Sequence, residues 1–230
     1  KKPPVKLAEI LKEYLLINFK EFKSIEIAGP GFLNISFHIS FWKKYLTKVI
    51  KLDSKYGSNR TIKKKYIVEF VSANPTGPLH VGHCRGAVLG DTLANILSFN
   101  GNKVTKEYYV NDYGEQIKNF VSSVYYRILE IIKNIPFPND KDLYPGTYII
   151  DIAKKIIKDK SIKNFNNFEK VYKKLSLISL KYSMEIIKND LNMLGVKHNS
   201  FIYESKLINS KMVLKTINNL KNKKYIYHGK

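Results

Sequence analysis

The chain has 230 residues, 44% of them hydrophobic, and a formal net charge of +21 at pH 7. This length suits one domain, or one domain with a smaller partner, and the apolar fraction is typical of a globular protein. No apolar run approaches the roughly 18 residues that a membrane-spanning helix needs, so we expect no membrane insertion. The charged N-terminal segment lacks the apolar core of a signal peptide.

The cysteine content bears on the cellular compartment of the protein, and the type of basic residue bears on whether it binds RNA. Cys84 is the single cysteine, which excludes an internal disulfide and favours the reducing cytoplasm. No Cys/His cluster suggests structural zinc, so we expect no protein-bound metal site. Of the 40 Lys and Arg residues only three are Arg, which leaves 37 Lys. Such a lysine excess is typical of a compositional bias on solvated faces, so the charge permits an RNA partner without establishing one.

The first 58 residues predict a small α+β domain and a linker. Apolar residues recur at helical spacing near the start, and Gly and Pro at 28–31 interrupt the alternating region that follows. The predicted elements are a helix over 5–19, strands within 24–39, a helix over 41–51 and a polar, basic linker over 53–65.

Residues 59–230 predict an α/β domain with a helical insertion at about 115–200. Strand and helix alternate at its start, which favours a doubly wound parallel sheet. Gly101 suits the left-handed position that ends a helix, and Asn111-Asp112 is predicted to cap the next one. The predicted elements are strands over 66–71 and 104–110, helices over 85–99, 115–133, 148–158, 168–194 and 212–220, and the start of a strand at 225–227.

The most informative segment places His80 and His83 on either side of Gly82, after a strand and before a helix. Unpaired backbone N–H groups and the helix dipole favour an anion at a helix N-terminus. Glycine leaves room for a ligand to approach the backbone. In doubly wound sheets ligands bind at the carboxyl ends of the strands, where this loop falls. The segment therefore predicts a nucleotide-phosphate site.

Other polar residues carry weaker predictions. Glu69 interrupts an apolar strand, so its side chain either faces a site or pairs within the structure. Cys84 is expected to fill space at the helix start, although a thiol of low pKa is conceivable there. Asp91 and Asn111-Asp112 are expected only to cap and pack. The isolated histidines, expected to be structural, are His38, His198 and His228.

The chain resembles a known family through several segments. The motif His80-Val81-Gly82-His83 resembles the signature of class I aminoacyl-tRNA synthetases and related nucleotidyltransferases. The longer run over 68–80 (VEFVSANPTGPLH) resembles the arginyl-tRNA synthetases in particular. Segments 85–91 and 107–112 support this, and segment 27–34 resembles the additional N-terminal domain of that family. The resemblance implies the first half of a Rossmann-like class I synthetase catalytic domain, preceded by a small α+β N-terminal domain.

The resemblance also implies an activity and its residues. The family activates arginine with ATP and transfers it to the terminal adenosine of tRNA, so ATP, L-arginine and tRNA are the expected partners of a monomeric enzyme. His80 and His83 would hold the ATP phosphates, and Gly82 would let adenosine pack on the backbone. Glu69, Ser72 and Asn74 would bind arginine, because a carboxylate complements a guanidinium. Mg²⁺ would enter with ATP.

The sequence leaves the extent of the protein and two other functions open. Lys211-Met212-Val213-Leu214 shares only two residues with the family's second signature, Lys-Met-Ser-Lys, and lies in the wrong half. We expect an N-terminal fragment that lacks that loop and the anticodon-binding domain, and that is inactive alone. The alternatives are a small adenylyltransferase of the same superfamily and a non-catalytic basic RNA-binding module.

Overall fold

The computed structural model describes residues 2–58, 63–227 and 229. The chain forms two compact units, Lys1–Ser58 and Asn59–Lys230. In the described residues no helix is both long and apolar enough to cross a membrane.

The first unit is a helix–hairpin–helix arrangement, as its patterning predicts. Gly29 and Gly31, with φ of 53° and 123°, make the turn of the hairpin. A side chain at Gly31 would place Cβ 3.0 Å from the Pro4 carbonyl group, so only glycine fits there. The elements are α1 (Pro4–Asn18), the antiparallel strands β1 (Phe22–Ala28) and β2 (Phe32–Phe37), and α2 (Ile39–Leu52). Of the predicted linker, Asp53–Lys55 forms a 3₁₀ turn and 59–62 lie outside the described residues.

The second unit is built on a parallel sheet, which confirms the predicted α/β class. Its strands are β3 (Lys65–Glu69), β4 (Lys103–Val110) and β5 (Ser200–Tyr203), in the order β3-β4-β5. Helix α3 (Val81–Phe99) connects the first two strands. The connection from β4 to β5 contains α4 (Glu115–Lys133), α5 (Thr147–Asp159) and α6 (Phe168–Met193), and α7 (Glu204–Asn209) and α8 (Met212–Asn222) follow.

Two apolar clusters hold this unit together. Helices α4, α5 and α6 bury one cluster, whose fully buried members include Phe120, Ile152 and Leu175. The other lies between the sheet and helices α3 and α6. There Gly90 packs so closely on Phe70 that a Cβ would lie 2.2 Å from the ring, which brings α3 down onto the end of β3.

Several sequence predictions about local structure are wrong. The strand predicted over 66–71 ends at Glu69, since Val71 and Ser72 adopt φ of 68° and 39° and turn the chain out of the sheet. Helix α3 starts at Val81, four residues before the predicted start. The segment 225–227 is not a strand.

The predicted cap at Asn111-Asp112 is also wrong. Gly114, with φ of 96°, is the residue before α4. The Asp112 carboxylate instead accepts hydrogen bonds from the backbone N–H and the hydroxyl of Ser205, at 2.8 and 2.6 Å. Asp112 therefore fixes the start of α7, an element that the sequence pattern did not predict. Gly101, with φ of 86°, ends α3 as expected.

Candidate active site

The N-terminus of α3 is capped by the two histidines of the motif. Nδ1 of His80 accepts a hydrogen bond from the backbone N–H of Gly82 at 3.1 Å. Nδ1 of His83 accepts one from the backbone N–H of His80 at 3.3 Å. The rings stack with centroids 3.8 Å apart. The imidazoles thus satisfy two of the N–H groups that a helix start leaves free.

This capping fixes the proton on each ring. A nitrogen that accepts a hydrogen bond carries no proton, so the neutral ring of His80 or His83 carries its proton on Nε2. Burial lowers the pKa of His83, and the neighbouring charge of His80 lowers it further. His83 is therefore neutral at pH 7, and its Nε2–H is a hydrogen-bond donor that the cap does not use.

Gly82 leaves room for the ring of the first imidazole. A Cβ at Gly82 would lie 3.0 Å from Cε1 and 3.1 Å from Nδ1 of His80. Gly82 is exposed, so its backbone is open to a ligand. By contrast, a Cβ at Gly86, one turn further along α3, would meet no atom within 4 Å. A side chain would therefore crowd His80 at position 82 but would be accommodated at position 86.

Glu69 and Ser72 are joined where β3 ends. The Ser72 hydroxyl donates to Glu69 Oε1 at 2.9 Å and accepts from the backbone N–H of Tyr109 at 3.0 Å. The Glu69 side chain is exposed, and the ion pairs found among the described residues, Lys106–Asp91 and Arg127–Glu130, do not include it. Its second oxygen is left for a ligand.

Asn74 has a partner that the sequence did not indicate. Its Nδ2 donates to Oε1 of Gln116, in the first turn of α4, at 2.8 Å. The two residues are 42 positions apart and both are exposed. No local pattern marks Gln116, so its place beside Asn74 depends on the tertiary fold.

Two further carboxylates lie close to Tyr109, at the carboxyl edge of the sheet. Burial raises the pKa of Tyr109, and three carboxylates raise it further. They belong, in decreasing order of effect, to Glu204, Asp112 and Glu69. These three residues come just after β5, just after β4 and at the end of β3. The sequence did not indicate the position of Glu204 because it did not predict β5.

The arrangement suits an organic cation better than a metal ion. Within the described ranges, no group of three or more His, Cys, Asp or Glu side chains is placed to hold a metal. Both oxygens of Asp112 accept hydrogen bonds from Ser205. Oε2 of Glu204 accepts one from the Asn111 amide at 2.7 Å, and Oε1 of Glu69 accepts one from Ser72, which leaves one oxygen of Glu69 and one of Glu204 as acceptors among the described residues. Carboxylates of this kind can accept hydrogen bonds from an organic cation, such as an ammonium or a guanidinium.

Sequence comparison identifies the family. The family model described as "tRNA synthetases class I (R), catalytic domain" matches residues 45–228. A second family model, described as "Arginyl tRNA synthetase N terminal domain", matches residues 1–37. The chain belongs to the class I tRNA synthetases of the arginyl (R) type. The His-Val-Gly-His motif at 80–83 lies inside the first of these matches.

Individual relatives agree with this family. The arginine–tRNA ligase of Pelagibacter ubique is 49% identical over the whole chain, which spans 40% of that protein. The arginine–tRNA ligase of Wolbachia sp. subsp. Brugia malayi is 42% identical over the whole chain, which again spans 40% of that protein. The chain thus spans about 40% of the length of the curated relatives it matches.

Solved structures show the same fold. A Campylobacter jejuni protein provisionally described as an arginyl-tRNA synthetase superposes with a TM-score of 0.73 at 31% identity, over 83% of this chain and 41% of its own. Arginyl-tRNA synthetase of Thermus thermophilus superposes with a TM-score of 0.55 at 18% identity, over 96% of this chain and 36% of its own, a likeness of fold alone.

Proposed function

We propose that the protein carrying this chain is an arginine–tRNA ligase, and that the chain supplies its ATP site and part of its arginine site. The observation that carries the proposal is the continuous loop between β3 and α3, which presents Glu69 at one end and the two imidazoles at the other. The family match and the carboxylates around Tyr109 support it. The Lys1–Ser58 unit then belongs to the additional N-terminal domain, and Asn59–Lys230 to the catalytic domain.

The imidazoles are proposed to bind ATP as hydrogen-bond donors. The Nε2–H groups of His80 and His83 donate to phosphate oxygens, while their Nδ1 atoms stay bonded to the helix backbone. Adenosine packs over the exposed backbone at Gly82. Mg²⁺ arrives bound to the phosphates, its usual ligands in nucleotide sites.

The acidic side of the loop is proposed to bind arginine. Glu69 and Glu204 accept hydrogen bonds from the cationic groups of the substrate, and Ser72 holds Glu69 in place. Asn74, whose amide donates to Gln116, is proposed as a further polar contact to arginine. The preference for arginine over a neutral analogue then follows, because a carboxylate left without a cationic partner is costly.

The chemistry needs no protein nucleophile. A carboxylate oxygen of arginine attacks the α-phosphate of ATP, the new O–P bond forms, and pyrophosphate leaves with the electrons of the broken bond. Donors that stabilise charge on the phosphates speed such a step. A hydroxyl of the tRNA terminal adenosine then takes the arginyl group, and AMP leaves. The proposal also includes tRNA as a partner and a monomeric protein.

Arginine-dependent exchange of labelled pyrophosphate into ATP tests the proposal, with the protein that carries this chain assayed both with and without tRNA. Exchange that requires arginine supports the ligase. Transfer of a nucleotide from ATP to another metabolite, without such exchange, would favour the adenylyltransferase. RNA binding that survives His80→Ala and His83→Ala together, without any exchange, would favour the non-catalytic module.

A further inference from the structure

The loop over 70–80 has no regular secondary structure, yet every third residue of it has a backbone group that is hydrogen-bonded to a side chain from elsewhere in the fold. Four side chains from four different parts of the fold bind it. The His198 ring bonds the Phe70 carbonyl at 3.2 Å, and the Tyr108 hydroxyl donates to the Ala73 carbonyl at 2.8 Å. These bonds hold the half of the loop that carries Ser72.

The second half of the loop is held in the same way. The Tyr148 hydroxyl donates to the Thr76 carbonyl at 2.8 Å. A carboxylate oxygen of Asp190 accepts from the backbone N–H of Leu79 at 3.0 Å. The anchored positions are thus 70, 73, 76 and 79, and the residues proposed to bind ligand lie between them or beside them. We call Tyr108, Tyr148, Asp190 and His198 the anchor residues.

The anchors offset a strained backbone. Val71 and Ser72 adopt φ of 68° and 39°, a conformation that is rare for a β-branched residue such as Val. Strain of this kind persists only where surrounding contacts determine the conformation, and it clusters at ligand sites. The Phe70 carbonyl accepts from both His198 and the Ser72 N–H, so the strained turn is held from two directions.

Tyr148 has the most specific fit of the four. It lies on α5 in the helical insertion, 72 positions from the carbonyl that it binds. A Cβ at Gly77 would lie 3.2 Å from its ring, and one at Gly146 only 2.3 Å away. The ring therefore occupies a space that exists because both neighbours are glycine. Burial raises the Tyr148 pKa, so the hydroxyl keeps its proton and remains a donor.

We propose that the anchor residues are positioning residues, which hold the 70–80 loop in the conformation that binds ligand. Tyr148 and Asp190 belong to the helical insertion, so the insertion influences the affinity for arginine and ATP. The inference rests on the proposed function, because it uses the same loop. A preorganised loop spares its ligands the entropic cost of ordering it. Loss of one anchor therefore weakens ligand binding without removing any group that touches the ligand.

The test compares two tyrosines that make the same kind of bond. Tyr148→Phe removes the hydroxyl that binds the loop. Tyr125→Phe removes a hydroxyl that donates at 2.8 Å to the Phe165 carbonyl, elsewhere in the helical insertion. For Tyr148→Phe we expect the KM values for arginine and ATP to rise about two- to tenfold, the effect of one hydrogen bond. For Tyr125→Phe we expect both KM values to stay at the wild-type level.

Amide hydrogen exchange gives a second readout that needs no activity. Tyr148→Phe should speed exchange within 70–80 in the protein that carries this chain, and Tyr125→Phe should leave that segment unchanged. Unchanged KM values and unchanged exchange in Tyr148→Phe would overturn the proposal, as would equal effects of both variants on the KM values. A wild-type protein without arginine-dependent exchange of pyrophosphate would overturn the proposed function alone, since amide exchange still tests the anchors.

Discussion

Nδ1 of His83 accepts a hydrogen bond from the backbone N–H of His80, and the two rings stack with centroids 3.8 Å apart. Each imidazole therefore serves the helix with one nitrogen and leaves the other for a ligand. The sequence alone places both rings at a positive helix end. The structure shows that they occupy part of that end themselves, so their contribution to phosphate binding lies in the Nε2–H donors.

The two roles of His83 can be separated with amide side chains. Asn places its amide where Nδ1 lies, and Gln places it nearer to Nε2. We expect His83→Asn to keep the cap but to slow arginyl-adenylate formation about 10²-fold, the effect of losing one donor to a charged transition state. His83→Gln should keep more activity and lose about 1 kcal/mol of stability with the cap.

Pyrophosphate exchange and urea unfolding measure these two effects. His83→Ala and His80→Ala should both lower kcat and leave tRNA affinity almost unchanged. Near-normal adenylate formation in either alanine variant would remove the histidines from the mechanism.

Glu69→Gln tests the arginine site. The change keeps the shape and removes the charge, so a charge-assisted bond to the substrate is lost. We expect the KM for arginine to rise about 10- to 100-fold while the KM for ATP changes little. Glu169→Gln, an equal change at an exposed position in the first turn of α6, is the matched control. A KM for arginine that is the same in both variants would refute the ligand role of Glu69.

Gly90 and Gly86 make a matched pair for stability. Gly90→Ala places a methyl group against the Phe70 ring, and we expect unfolding to become easier by about 1–3 kcal/mol. Gly86→Ala meets nothing within 4 Å and improves helix propensity, so it should stabilise the protein by up to about 1 kcal/mol. Urea unfolding followed by circular dichroism measures both. Equal effects would show that α3 does not pack on β3 as described.

His198 should make stability depend on pH. Burial lowers its pKa, the Phe70 carbonyl and Asp91 oppose this, and Lys106 adds to it. Because the folded-state pKa lies below the ordinary value of 6.5, the unfolded chain takes up the proton first as the pH falls. The contribution of His198 is therefore complete above pH 6.5 and is lost as the pH falls below that value.

His198→Phe keeps a ring among its aromatic neighbours and removes the titration. We expect the Tm of the wild type to fall more than that of the variant between about pH 7.5 and pH 5.5. The Tm of the variant should still fall somewhat over this range, because His83 also has a lowered pKa. An identical pH dependence in the two proteins would contradict a half-buried His198 whose pKa is lowered in the folded state.

Local sequence pattern was enough for the elements that lead to the site. The apolar run that Glu69 interrupts, and the loop leading to Gly82, predicted a strand, a loop and a helix in the correct order. It could not predict β5, because Ser200–Tyr203 is four residues long and pairs with β4 across about 90 positions. Glu204 was missed for the same reason.

The geometry of the loop was also beyond a local pattern. Val71 favours an extended strand by its own propensity, and only tertiary contacts hold it at a φ of 68°. Tyr148 and His198 look like packing residues in the sequence, since their partners lie 72 and 128 positions away. Motifs in the sequence thus indicated ligand-binding residues, but not the residues that hold them.

Substrate selection in the exchange reaction separates a site for arginine from a site that accepts its neutral analogue. The protein that carries this chain would be given ATP, labelled pyrophosphate, tRNA and one of two amino acids: arginine, or citrulline, the neutral ureido analogue of arginine. The carboxylates at Glu69 and Glu204 predict label in ATP with arginine and almost none with citrulline. Label incorporation that does not depend on arginine, or that is equal with citrulline, would contradict the account.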